Sequence, residues 1–281
     1  MTDNAKIQQS NSSLSQIRKG VQAIFLLGTY LLGLRHIMPG ESAKGGAFDA
    51  FCPFGGIETL WSYITTGHTL KTTNLLNFAV LIGVLGVSLL AGRAFCGWMC
   101  PLGTLQDLFA YLARRLSGGK KRHVRGRRSK ARFPTPLPLK WDKWLRYTKY
   151  LILVVILVAS TRSIYPPLHT ICPARAFFSF QLTTGLLWSV LITFIITSML
   201  NKRFWCKYLC PLGAALAIFN KIAPLRVVID KERCTHCGRC DVECPMDIHA
   251  VPENMRSAEC VQCLECLETC SVPDTLDLKL G

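Results

Sequence analysis

The stretch CTHCGRCDVECP (residues 234–245), followed by CVQCLECLETC (residues 260–270), decides the reading of this chain. Each segment spells C-x2-C-x2-C-x3-C, and the first ends on Pro245. That is the ligand spacing of paired [4Fe–4S] cubanes, held by thiolates. A cubane needs four thiolates at tetrahedral corners, and one tight loop presents only three. The fourth comes from the other segment. The spacing therefore assigns Cys234, Cys237, Cys240 and Cys270 to cluster 1, and Cys244, Cys260, Cys263 and Cys266 to cluster 2. Pro245 fixes the approach of a fourth ligand. Ser271 stands at the matching place in the second segment, with Pro273 after it, which alters the turn and not the ligand set. A zinc site would use other spacings, often with histidine. A disulfide framework would need an oxidising compartment.

The rest of the chain is of another character. Half of its 281 residues are hydrophobic and the mean hydropathy is +0.28, high for a soluble enzyme. The net charge of +16 is unevenly spread. Residues 224–281 hold six Lys/Arg and eleven Asp/Glu, a net of −5, so residues 1–223 carry +21. A basic, apolar body with an acidic tail is no nucleic-acid binder; the basic excess reads as membrane topology and contact with lipid headgroups.

Four apolar runs, at residues 21–34, 75–91, 147–160 and 184–200, predict four transmembrane helices with basic flanks. Residues 1–17 are polar, lack a cleavage site and read as a cytoplasmic tail. The loop at 113–146 is crowded with basic side chains, from Arg114 and Arg115 to Arg132, which places it in the cytoplasm. The loops at 38–72 and 163–182 then face the periplasm, and both termini and the clusters lie inside. Trp98, Trp141, Trp144 and Trp205 fall near the expected membrane boundaries. The fold class is thus an α-helical membrane protein with four spans in two parallel repeats (residues 18–223), plus a C-terminal α+β two-cluster ferredoxin-like domain (residues 224–281).

The repeat shows in GRAFCGWMCPLGTLQDLF (92–109) against NKRFWCKYLCPLGAALAIF (201–219). Each carries C-x3-C-P, at Cys96/Cys100 and Cys206/Cys210, and each is preceded by an outer Cys-Pro loop, at Cys52 and Cys172. Proline favours the first helical position, so Cys100 and Cys210 fall near helix N-caps, where a thiol pKa is expected to drop. Three readings stand open for these four cysteines: a four-thiolate metal site, two thiol/disulfide pairs, or buried cysteines at tight turns. Cys52 and Cys172, on the oxidising side, are candidates for a disulfide.

Four membrane helices, two C-x3-C-P motifs, the pair of cluster motifs and the CPFGGIE segment (52–58) together resemble the NapH-type ferredoxin family over nearly the whole chain. The resemblance implies a quinol dehydrogenase component of periplasmic nitrate reduction in the bacterial inner membrane. It implies two [4Fe–4S] clusters, quinol as electron donor, a NapG-like ferredoxin partner, a NapC-like tetrahaem cytochrome, and a periplasmic nitrate reductase downstream. Quinol oxidation releases protons, so an ionisable group is expected near the quinone. Candidates are His36, Glu58, His68 and His169 outside and Asp107 and Asp142 inside, with Glu58 first because of its motif. Relatives with the same core suggest the alternatives of a copper reductase or cofactor-assembly factor, or a redox-sensing scaffold. No C-x-x-C-H haem site is present to carry electrons across the membrane, so a partner would complete that route.

Overall fold

The computed structural model describes residues 2–35, 52–68, 75–117, 137–162, 171–178, 185–248, 257–270, 272 and 275–280, and only the backbone of residues 2–13, 35, 75 and 139. The first repeat folds as α1 (Thr2–Arg35), α2 (Pro53–Thr66), α3 (Leu75–Ala91), α4 (Ala94–Trp98) and α5 (Pro101–Leu116). The second folds as α6 (Leu139–Ser160), α7 (Pro173–Phe178), α8 (Gly185–Leu200), α9 (Phe204–Tyr208), α10 (Pro211–Leu216) and α11 (Phe219–Ile222). All four Cys-Pro pairs start helices, with the proline as first helical residue. Its fixed φ suits that position and its missing N–H costs nothing there. Cys52 and Cys172, read from sequence as lying in loops, therefore stand at the heads of α2 and α7.

The repeats pack crosswise. α1 lies against α5 of its own repeat and α7 of the other, while α6 lies against α10 of its own and α2 of the other. α5 packs on α8, and α11 on α3. The amphipathic face expected for α5 is built by Leu102 and Leu105, which join Phe178 and Phe194 in one apolar cluster.

Among the described residues one stretch, Leu14–Leu34 of α1, is long and apolar enough to cross a membrane. α3 and α8 are apolar but have 17 and 16 residues, fewer than the roughly 20 that a crossing needs. The residues just before them, 69–74 and 179–184, lie outside the described ones. α6 has 22 residues, but its first half carries Lys140, Asp142, Lys143, Arg146 and Lys149. The expectation of four spans thus meets one clear span and three further apolar helices. Residues 1–17, read as a tail, become the first turns of α1 from Thr2 onward. Residues 118–136 of the basic loop, His36 and His169 lie outside the described residues.

The C-terminal part pairs β1 (Leu225–Ile229) antiparallel with β2 (Leu276–Leu280), Leu225 opposite Leu280 and Ile229 opposite Leu276. Between them come the two cysteine loops and their short helices, α12 (Arg239–Glu243) and α13 (Glu265–Thr269), which pack on each other. The chain is mostly helical, with a ferredoxin-type α+β unit at its C-terminus.

That unit is clamped onto the helical part through the second cysteine loop. Side chains of the helical part bond its backbone carbonyls one after another. Arg93 Nη1 donates to the Ala258 oxygen (3.1 Å) and Asn220 Nδ2 to those of Ala258 (2.9 Å) and Cys260 (2.7 Å). Trp98 Nε1 donates to Gln262 O (2.9 Å) and Arg18 Nη1 to Cys263 O (2.7 Å). Trp98 is therefore a docking residue and not a membrane-boundary tryptophan, whereas Trp141 and Trp144 are exposed as expected. Gly97 lets the backbones meet: a Cβ there would stand 2.3 Å from Val261 O. Buried ion pairs complete the contact. Glu259 receives Arg93 and Lys149, both fully buried, and Arg18 reaches Glu265 at 2.7 Å.

Removing one partner of such a group strands the others without a counter-charge, which typically costs about 3–5 kcal/mol. Glu259→Gln is expected to destabilise the protein by about that amount. Thermal unfolding of detergent-solubilised protein checks it; an unchanged midpoint would show that the docking does not depend on this cluster.

Candidate metal centres

The two cysteine loops have one backbone design. His236 and Gln262, each two residues after the first cysteine, have φ of 49° and 48°, and Gly238 and Leu264, two residues further on, have 69° and 61°. Left-handed residues at alternate positions turn successive N–H groups to the concave side, the arrangement that cradles anionic and iron–sulfur groups. For Leu264 and Gln262 this conformation is costly, so the loop shape is imposed and not a local preference. Cys244 and Cys270 sit at the C-terminal ends of α12 and α13, their N–H groups bonded to Cys240 O (3.1 Å) and Cys266 O (3.2 Å). The structure places Cys234, Cys237, Cys240 and Cys270 around a single cavity, walled also by Ile229, Thr275 and Leu276. Cys266 lies within electrostatic reach of Cys263, Cys260 and Cys244.

The chemistry of these thiols suits a metal core. Burial pushes the Cys266 thiol well up, and charge on Cys263, Cys260, Cys244 and Cys240 would raise it further. Burial, with the Glu265 carboxylate next, pushes Cys263 up to about 12, and burial, with the charge of Cys263 adding to it, takes Cys260 to about 11. Crowded, buried thiols resist ionisation unless a cation takes the place of their protons. Among the described residues no three His, Cys, Asp or Glu side chains converge as a single metal ion requires. A tetrahedral ion with bonds of about 2.3 Å would draw its sulfurs to within about 3.8 Å of one another. An iron–sulfur core is several atoms across and holds its thiolates further apart, and an all-cysteine donor set of this kind is the one it takes.

The two environments differ. None of the residues lining the cavity of Cys234, Cys237, Cys240 and Cys270 belongs to the clamp, and Cys237 is exposed. The other loop faces inward. Val261 is buried in one apolar cluster with Cys96, Val84, Leu216 and Met246, and Cys244 and Cys263 pack against it. Glu259 beside it is half of the clamp. Burial would push its carboxyl up, but the charges of Arg93 and Lys149 outweigh this and hold it below the ordinary glutamate range.

The cysteines of the repeat come together at the crosswise junction. Cys96 and Cys206 are buried, and Cys100 and Cys210 are the N-caps of α5 and α10. Each of the six pairs among the four is within electrostatic reach. The helix N-termini do act on the caps: Gly213 N–H donates to Cys210 Sγ at 3.4 Å. Yet the expected fall in thiol pKa is reversed. Burial raises Cys100 and Cys210, neighbouring thiols add to it, and the N–H groups of Gly103 and Gly213 offset only part. None of the four is in a disulfide, and the disulfide considered for Cys52 and Cys172 is not formed.

Of the expected proton-handling groups, Asp107 and Asp142 have structural duties. Asp107 takes both Nε and Nη2 of Arg203, at 2.9 and 2.6 Å. Asp142 accepts from Arg146 Nε (2.8 Å) and from the Tyr208 hydroxyl (2.5 Å). His68 is exposed just beyond α2. Glu58 is only 1% exposed, on the buried side of α2 with Thr59 and Ser62, and close to Cys52. Burial pushes the Cys52 thiol up to about 12, with the charges of Cys172 and Glu58 adding to it. The residues that sequence reasoning missed are Arg93 and Arg203. Both are fully buried and each stands three residues ahead of a C-x3-C-P motif. Their equal place in the two repeats was the signal.

Comparison with known proteins agrees with this geometry. A 4Fe-4S binding domain model matches residues 73–120 and 183–229, once in each repeat, and a 4Fe-4S dicluster domain model matches residues 226–271. The ferredoxin-type protein NapH of Escherichia coli is 27% identical over 263 residues, covering 88% of this chain and 83% of that protein. NapH of Haemophilus influenzae is 33% identical over 192 residues, 65% of this chain and 59% of that one. An uncharacterized protein of Methanocaldococcus jannaschii is 33% identical over 192 residues, 68% of this chain and 74% of that one. The chain spans about two thirds of the length of several curated relatives, 65% and 63% for two more of them. No solved structure matches it. The identity to relatives covered over most of their length, with iron–sulfur models matching the same segments, means that the chain belongs to the NapH-type ferredoxin family of iron–sulfur electron-transfer proteins.

Proposed function

We propose that this chain is a multi-pass membrane subunit that takes electrons from quinol and passes them through two [4Fe–4S] clusters toward a periplasmic nitrate reductase. The observation that carries it is the clamp. One cysteine loop is fixed against the helical part by buried charge pairs and carbonyl hydrogen bonds, while the other opens to solvent. A cluster in the inner loop is placed to exchange electrons with the membrane side, and one in the outer loop with a soluble partner such as a NapG-like ferredoxin.

Four spans are supported by what the apolar helices leave uncovered. Ile24, Leu27 and Leu31 of α1, Ile82, Leu89 and Leu90 of α3, Leu151, Val154 and Val158 of α6, and Ile192 and Ile196 of α8 are all exposed. Aliphatic faces of this extent on four helices suit acyl chains better than water. With the basic loop in the cytoplasm, both termini and the clusters lie inside, and Glu58 lies toward the outer face. A buried carboxylate there can receive a quinol proton. Quinol releases two electrons and two protons, and each cubane takes one electron. Onward transfer to the periplasm needs a partner, for which a NapC-like cytochrome is the reading.

Anaerobic EPR of the protein in lipid nanodiscs, with a menaquinol analogue added, tests this. Reduced-cluster signals are expected with quinol as with dithionite. Reduction by dithionite alone would refute quinol as the direct donor. Glu58→Gln is expected to slow the quinol-driven step by about 10²-fold, a typical contribution of a proton-transfer group, and leave dithionite reduction unchanged. An unaltered quinol rate would remove Glu58 from the role.

A further inference from the structure

The junction of the two repeats holds a constellation that the two-cluster reading does not use. We propose that Cys96, Cys100, Cys206 and Cys210 bind a third iron–sulfur cluster, with Arg93 and Gln106 as hydrogen-bond donors to its sulfurs.

Four observations converge on it. First, the four thiols come from both repeats and lie mutually close, Cys96 and Cys206 buried and Cys100 and Cys210 half-buried. Second, a buried cation there lacks part of its partners. Arg93 is fully buried, and among the described residues its Nε and Nη2 have no hydrogen-bond acceptor, while Nη1 is engaged by Ala258 O and Glu259. An unsatisfied buried charged donor costs more than the ~1–3 kcal/mol of a neutral one. Nη2 lies over Gly213, in the first turn that Cys210 caps, 2.7 Å from where a Cβ would stand, so a side chain at 213 would displace it. The guanidinium is within electrostatic reach of Cys96, Cys206 and Cys210. Gln106, also fully buried, donates Nε2 to Cys206 Sγ at 3.1 Å, while its Oε1 accepts from Trp205 N at 2.9 Å, which fixes which end of the amide faces the sulfur. A neutral thiol is a weak acceptor, but thiolate and cluster sulfide are strong ones, and such donors set cluster potentials.

Third, the donor set is all cysteine, two from each repeat, which is the ligand chemistry of iron–sulfur cores. The 4Fe-4S binding model that matches each repeat once is of the same class. Fourth, the site adjoins the inner cysteine loop. Cys96 shares an apolar cluster with Val261, and Gly97 brings its backbone against Val261 and Cys263. A cluster here would accept one electron from the membrane side and pass one to its neighbour, with no bond made or broken.

The test counts iron and acid-labile sulfide in the full chain, reconstituted anaerobically with ferrous iron and sulfide. Wild type is expected to hold about twelve irons, and the variant with all four cysteines replaced by serine about eight, with the C-terminal EPR signals retained. A difference of about two would mark a [2Fe–2S] form of the same site. Equal iron in both proteins would overturn the proposal. Should the quadruple variant fail to fold, Gln106→Leu keeps all four thiols. It is expected to shift the midpoint of one reduction step out of three in a redox titration, with iron unchanged; two steps, neither shifted, would overturn the proposal equally. Quinol enters neither measurement, so this inference and the proposed electron donor stand or fall separately.

Discussion

Two buried arginines hold the structure to its form. Arg93 and Arg203 occupy the same place in the two repeats, and each reaches over the first turn of the other repeat's C-P-L-G helix. Arg203 is held there by Asp107 and by Cys96 O, Arg93 by Glu259 and Ala258 O. A guanidinium cannot shed its proton and cannot be left unpaired in the interior, so each must bring its partners with it. Arg203 thereby fixes α5 against the start of α9. Arg93 fixes the inner cysteine loop against α4. Glycine at 213 leaves the space that Arg93 needs, and glycine at 103 lets the helix approach Cys96 O.

Once the arginines are placed, the cysteines follow. The crossover sets Cys96 and Cys100 beside Cys206 and Cys210, and the docking sets the inner cluster loop against Gly97. Positive charge then lies where sulfur collects. Buried thiols alone would stay protonated in such company, since burial and mutual repulsion both raise their pKa. Only a cationic core reverses that balance, and metal binding is then coupled to loss of protons and to folding. The outer loop is built on the same backbone plan but open to solvent, so one fold presents two cysteine loops with different access.

The cysteine spacing was legible because ligand geometry is local: three thiolates from one loop and a fourth from a following turn leave a regular pattern. Internal repetition was legible for the same reason. The docking was not. Arg18 read as a membrane flank, Trp98 as a boundary tryptophan, and Asp107 and Asp142 as proton carriers, because side chains that bind distant carbonyls or buried arginines leave no periodic signal. The outer Cys-Pro segments read as loops, although proline at a helix start could have indicated α2 and α7. The thiol pKa at the C-x3-C-P helices was misjudged in sign, since helix-end donors were weighed without the burial and the neighbouring thiols that only tertiary structure supplies.

The central claim is that docking makes the helical part and the inner cysteine loop one electron path. The most direct measurement compares the rate of quinol-driven cluster reduction in wild type and in Gly97→Ala, in nanodiscs, by freeze-quench EPR. An added methyl at 97 must push Val261 away. The account predicts slower reduction by quinol, with iron content and dithionite reduction unchanged. Equal quinol rates in the two proteins, with the loop displaced, would contradict it.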